Sequence, residues 1–136
     1  FGGLAGNAGL FSTARDVARV YQMLLNGGEI DGQRYLSKET CQLFTTETSK
    51  ISRRGLGFDK PDADDPKKGN CAPAAPAEVY GHTGFTGTCA WVDPVNELVY
   101  VFLSNRIYPD VTNRKLNQLH IRERIQGAIY DAMKKK

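Results

Sequence analysis

The sequence lacks any apolar run approaching the roughly 20 residues of a membrane-spanning helix; its longest, Leu98 to Leu103, is strand-sized. Cysteine is scarce, at three residues, Cys41, Cys71 and Cys89. None of these forms a C-x-x-C pair and no His stands at ligand spacing, which excludes a structural zinc and leaves no metal site to propose. An odd count leaves at least one thiol unpaired; a Cys71–Cys89 disulfide stays open, and the redox compartment with it. No charge sign dominates, since the formal net charge is only +3. The basic residues are scattered in short groups, Arg53-Arg54, Lys67-Lys68 and Lys134-Lys135-Lys136. Without a stripe they read as solvated surface, and nucleic acid is excluded as a partner. Also missing are a G-x-S-x-G elbow, a phosphate loop, an H-E-x-x-H helix and a dinucleotide fingerprint.

What is present is the composition of one soluble globular domain. Of 136 residues, 40% are apolar and 24% charged, too apolar for a disordered chain. Phe1-Gly2-Gly3-Leu4 opens the chain with apolar and Gly residues, and the expectation is a piece of a longer protein.

The order of elements follows from spacing and punctuation. Thr13 and Asp16 fit a capping box, after which Val17, Val20, Tyr21, Leu24 and Leu25 recur at helical spacing. Gly27-Gly28 ends that helix. Residues 30–35 read as a hairpin about Asp31-Gly32, and Ser37 caps a second helix carrying Cys41, Leu43 and Phe44. Gly55-Leu56-Gly57-Phe58 reads as a strand. Lys60 to Pro76, rich in Pro, Asp, Lys and Ala without a period, reads as an exposed loop or insertion. Three strands follow: Val79–His82, Thr86–Val92 and Glu97–Ser104, the last two joined by a turn at Asp93-Pro94-Val95-Asn96. Tyr108-Pro109 breaks the last strand. A final helix over about Leu119 to Met133 should turn Ile121, Ile125, Ala128, Ile129 and Ala132 toward the sheet. Helices on either side of bunched strands predict an α+β fold with an antiparallel sheet and flanking helices. No internal repeat is found.

Chemistry-bearing residues are few. His120 sits in a charged helical stretch and reads as structural or surface. His82 differs in its neighbours: in Tyr80-Gly81-His82-Thr83-Gly84-Phe85-Thr86-Gly87-Thr88, a His and a Thr meet three glycines at a strand end. Glycine there admits a ligand or another backbone closely, and a backbone N–H left free can serve an oxyanion hole. The same residues also suit an ordinary Gly-rich turn.

These residues carry a resemblance. His82-Thr83-Gly84, followed by Phe85-Thr86-Gly87-Thr88, Trp91-Val92-Asp93-Pro94 and Val101-Phe102-Leu103-Ser104-Asn105-Arg106, resembles the carboxy-terminal part of the class C beta-lactamase-like serine hydrolases. That superfamily includes beta-lactamases, DD-peptidases (the penicillin-binding-protein type), D-aminopeptidases and esterases. The upstream stretch Ala5 to Asp16 is similar to the segment entering the helix before their sheet. Such enzymes use an S-x-x-K nucleophile motif, a Y-x-N motif and a K-T-G or H-T-G motif. The resemblance implies a partial beta-lactamase/transpeptidase-like fold spanning residues 1–136, with His82-Thr83-Gly84 as the third motif. His82 would position substrate, Gly84 would let it lie along the strand, and the Phe85 N–H would be one oxyanion donor. No cofactor is implied.

The other motifs are not found. Ser12, Ser37, Ser49, Ser52 and Ser104 are followed three residues on by Arg15, Thr40, Ser52, Gly55 and Ile107, and no Tyr is followed at the second position by Asn. Thr112 precedes Lys115 at the right spacing, but in a polar connection without a family counterpart. An oxyanion donor without a nucleophile stabilises a charge that never forms. The expectation is thus an inactive isolated chain whose parent performs acyl-transfer hydrolysis of peptide, ester or beta-lactam bonds. The alternative is a non-catalytic ligand- or partner-binding domain on the same sheet. Implied partners are the missing amino-terminal half of the domain, a glycoside hydrolase fused to it, and a small-molecule or peptidoglycan-derived substrate. Self-association through an uncovered edge strand or apolar face is expected. A periplasmic or extracytoplasmic location follows by family analogy.

Overall fold

The computed structural model describes residues 2, 5, 6, 8–46, 49–62, 64, 65 and 69–134. Phe1, Gly3, Leu4, the Lys67-Lys68 pair and the last two lysines lie outside the described residues. The elements run α1 (Ala14–Leu25), β1 (Glu29–Ile30), β2 (Gln33–Arg34), α2 (Lys38–Thr45), β3 (Tyr80–Thr83), β4 (Cys89–Asp93), β5 (Leu98–Phe102), α3 (Lys115–Gln118) and α4 (Ile121–Met133). This is an α+β fold with antiparallel sheets and flanking helices. None of the described helices is long and apolar enough to cross a membrane.

Local chemistry sets the ends. Thr13 caps α1, its hydroxyl accepting from the Asp16 N–H and donating to the Asp16 carboxylate, which is the N-cap half of the expected capping box, the carboxylate meeting the Thr13 hydroxyl in place of its backbone N–H. Asn26 closes the helix, and Gly27 and Gly28 then take positive φ while their N–H groups return to Leu24 and Met23 carbonyls. Asp31 and Gly32, both at positive φ, make the two-residue turn between β1 and β2. Ser37 caps α2 through the Thr40 N–H.

The main sheet has the order β3-β4-β5, antiparallel throughout. Gly81, Trp91 and Tyr100 form one cross-strand row, and Thr83, Cys89 and Phe102 another. This face carries the core, in which Cys71, Val79, Cys89, Trp91 and Tyr100 pack with Ile129 of α4. The opposite face begins with Tyr80, whose ring meets Phe58 edge-on, and Phe58 in turn meets Tyr21 of α1. The sheet is thus covered by α4 on one side and α1 on the other.

Several expectations are corrected. Residues 55–58 form no strand; Gly55 and Asp59 are isolated bridge positions, Asp59 pairing with Gly81, because two glycines supply nothing to pack on a pleated surface. The 60–76 stretch has no helix or strand among its described residues, yet it is not simply exposed: Lys60, Cys71 and Ala72 are buried. Its small residues fit between the sheet and α4. The turn from Thr86 stays irregular until Cys89, and β5 is shorter than Glu97–Ser104. Val20, Leu43 and Phe44 are exposed despite their helical spacing.

The largest departure is α4. Its inward line is Arg122, Gln126 and Tyr130, while Ile125, Ala128 and Ala132 face outward. The buried polar atoms on this line are what the core asks for. Gln126 accepts from the Ala72 N–H at 2.8 Å, Tyr130 donates to Asp93 at 2.8 Å, and the Arg122 carbonyl accepts from the Tyr100 hydroxyl at 3.1 Å. Buried polar groups must be paired, and that requirement outweighs an apolar stripe that gives Ile129 alone to the core.

Candidate active-site wall

β3 is an edge strand, and among the described residues its outer side is paired at one point. Gly81 donates to and accepts from Asp59 across that side, at 3.1 and 2.7 Å. Asp59 itself is fully buried and held by Asn70 Nδ2 and Arg53 Nη2, both at 3.1 Å. Backbone groups alternate along a strand, so the N–H and C=O of Thr83 point outward like those of Gly81, beyond the Asp59 bridge. Gly84 turns back inward, its N–H donating to the Thr88 carbonyl at 2.8 Å. Phe85 is the first turn residue beyond the strand, and among the described residues no hydrogen bond takes up its N–H.

The glycines are there for contact reasons. A Cβ on Gly81 would lie 2.1 Å from the Ala90 carbonyl oxygen, and one on Gly84 would lie 2.3 Å from Thr88 Oγ1.

The turn after Gly84 is braced by the end of β5. The Thr86 carbonyl accepts from the Arg106 N–H at 2.9 Å and from the Ser104 hydroxyl at 3.1 Å. The Arg106 guanidinium lies over the Phe85 ring, 5.0 Å from its centroid. Beside this turn opens a cavity of about 550 Å³. Thr83, Gly84 and Phe85 form one wall, and Asn117, His120, Arg122 and Glu123 from the α3–α4 corner form the other. Arg122 is buried, with Nη2 3.1 Å from Asn117 Oδ1 and Nη1 3.5 Å from the Gly87 carbonyl.

Of the residues singled out in the sequence, Thr83, Gly84 and Phe85 come together at this cavity. His82 does not line it. It shares a sheet face with Tyr80, is exposed, and its Nδ1 lies 2.6 Å from the Thr83 carbonyl oxygen. A carbonyl can only accept, so Nδ1 is the donor in this contact. His120, read as structural or surface, takes a left-handed conformation at the start of α4 and reaches the cavity rim. Arg106, Asn117 and Arg122 were assigned no role from sequence. Nothing local marks the last two; Arg106 closes the run Val101-Phe102-Leu103-Ser104-Asn105-Arg106 that carries the family resemblance.

The thiols lie inside the fold. Cys41, Cys71 and Cys89 are all free and buried, so no Cys71–Cys89 bridge forms. Burial pushes the Cys89 thiol up to about 11 and that of Cys71 to about 12. A nucleophilic cysteine needs the opposite shift.

Comparison with known proteins gives a consistent picture. The family model described as "Beta-lactamase" matches residues 2–123. An Escherichia coli O157:H7 protein named "Putative D-alanyl-D-alanine carboxypeptidase" is 37% identical over 116 residues, covering 85% of this chain and 26% of its own length. A Salmonella agona (strain SL483) protein of the same name is 36% identical, with 85% and 27% covered. A solved structure, a penicillin-binding protein homolog from Caulobacter crescentus, superposes with a TM-score of 0.52 at 26% identity, over 65% of this chain and 24% of that one. The chain thus spans about a quarter of the length of these relatives.

Proposed function

The chain belongs to the beta-lactamase family, and on that premise we propose that it is the carboxy-terminal segment of an extracytoplasmic serine hydrolase. It supplies the H-T-G wall of an acyl-transfer site. The nucleophile lies in polypeptide outside these residues, since no S-x-x-K or Y-x-N occurs among them. The names of the relatives favour peptides ending in D-alanyl-D-alanine as the substrate class.

The observation that carries this reading is the open outer edge of β3 beyond the Asp59 bridge. An extended acyl group laid along that edge meets the outward backbone groups of Thr83, as in strand addition. Its carbonyl oxygen then meets the Phe85 N–H. When the serine oxygen attacks the carbonyl carbon, negative charge moves onto that oxygen, and the Phe85 N–H is one of the donors that stabilise it. The second donor is the N–H of the nucleophile. His82, exposed on the sheet face it shares with Tyr80, would help position the substrate. The carbon–nitrogen or carbon–oxygen bond breaks, the amine or alcohol leaves with the proton the serine gave up, and water hydrolyses the acyl-enzyme to the free acid and the serine.

The test has two parts. The 136-residue chain alone should give only background turnover of nitrocefin, a p-nitrophenyl ester and a D-alanyl-D-alanine peptide. Turnover abolished by changing one of its own serines would overturn the reading. A polypeptide carrying S-x-x-K and Y-x-N ahead of this segment should be labelled by a fluorescent penicillin, and His82→Ala should slow labelling. Ligand binding without any acylation would favour the non-catalytic alternative.

A further inference from the structure

We infer that Arg106 is a positioning residue for the oxyanion donor. Its side chain clamps the turn 84–87 so that the Phe85 N–H points along the open edge of β3. This rests on the role given to Phe85 above.

Two backbone bonds close the turn, Gly84 N–H to the Thr88 carbonyl at 2.8 Å and Gly87 N–H to the Gly84 carbonyl at 2.9 Å, but neither holds Phe85, which is 71% exposed. Nothing apolar anchors the residue whose N–H must be aimed. Arg106 supplies what is missing on two sides. Its backbone N–H bonds the Thr86 carbonyl, next to Phe85. Its guanidinium lies on the Phe85 ring, a cation–π contact that restricts both groups.

The guanidinium is itself held from behind. Nη1 donates to the carbonyls of Val111 and Asn113, each at 3.4 Å. The chain of contact therefore runs from the 111–113 loop through Arg106 to the ring of Phe85. Gly87 completes the fit, since a Cβ there would lie 2.6 Å from Ser104 Oγ and 3.3 Å from Arg106 Cγ. The planar cation, with several donors in a fixed fork, can bond two carbonyls and stack at once. A lysine could do only part of this. Aim matters because a preorganised donor acts only where the charge develops, and a misplacement of about 1 Å can lower a rate by about 100-fold.

The experiment pairs backbone dynamics with kinetics. In the 136-residue chain, Arg106→Ala removes the clamp but keeps the Arg106 N–H bond to Thr86. The expected result is a shifted Phe85 amide resonance with a lower order parameter, while the Trp91 and Val92 amides keep their exchange protection. Arg106→Lys should recover part of the effect, and Phe85→Leu, which keeps the N–H and removes the ring, should reproduce it. If Arg106→Ala fails to fold, Phe85→Leu carries the test. In the nucleophile-bearing enzyme, Arg106→Ala should lower kcat about 10-fold with KM changed less than about 2-fold. An unmoved Phe85 amide would overturn the clamp and leave the proposed function standing. A moved amide with unchanged kcat would overturn the donor role of Phe85, and the positioning role with it.

Discussion

The Gln126 side chain, on the inward face of α4, accepts a hydrogen bond from the backbone N–H of Ala72 at 2.8 Å. Both residues are buried. The contact fastens the irregular 60–76 stretch to the last helix, beside the cysteines that complete the core.

Gln126→Leu should therefore be destabilising although it replaces a polar core residue by an apolar one. It leaves the Ala72 N–H buried without an acceptor, a loss of about 1–3 kcal/mol. Urea unfolding checks this. A change below about 0.5 kcal/mol would mean that the Ala72 N–H finds another acceptor.

Gly81 and Gly84 should respond differently to alanine. The Cβ of Gly81→Ala meets backbone, 2.1 Å from the Ala90 carbonyl oxygen and 2.8 Å from Trp91 Cα. Strand β3 must then separate from β4, at about 3 kcal/mol or more. The Cβ of Gly84→Ala meets chiefly the Thr88 hydroxyl, which can rotate away. Its effect should be smaller, and Thr88→Ala in the same chain should remove most of it. Thermal melts of the three variants decide the matter. Equal losses for both glycines would contradict the assignment.

The buried thiols set an alkaline limit. Cys89 and Cys71 are raised from 9.0 to about 11 and about 12, chiefly by burial. In the fold they stay protonated, whereas in the unfolded chain they ionise near pH 9. Unfolding then releases protons, so stability is whole below about pH 9 and falls as pH rises toward 11 and 12. The denaturation midpoint should be lower at pH 10.5 than at pH 8, and the drop should shrink in Cys71→Ala and Cys89→Ala. At pH 8 a disulfide reagent should label the native chain slowly and all three cysteines quickly in denaturant.

The outer edge of β5 carries no strand among the described residues, and its sequence, Leu98-Val99-Tyr100-Val101-Phe102, is all strand former. Such an edge templates pairing. The isolated chain should self-associate with rising concentration in sedimentation velocity runs, and Val101→Lys should reduce this. A strictly monomeric chain at high concentration would count against an uncovered edge.

Local chemistry determined much of this protein before any tertiary contact. Thr13 and Ser37 fixed two helix starts, Asp31-Gly32 a hairpin, and the Val, Tyr and Phe run after Glu97 a strand. Each depends on groups within a few residues of one another, so sequence displays them directly. The ordered set from His82 to Arg106 was enough for the family. Only tertiary structure decided which face of α4 turns inward, because Gln126 and Tyr130 answer to Ala72 and Asp93, far off in the chain. It also drew Cys71 out of an apparent surface loop into the core, and set Asn117, Arg122 and Arg106 about the H-T-G turn. Buried polar groups must find partners wherever the fold puts them, and a local period does not record that demand.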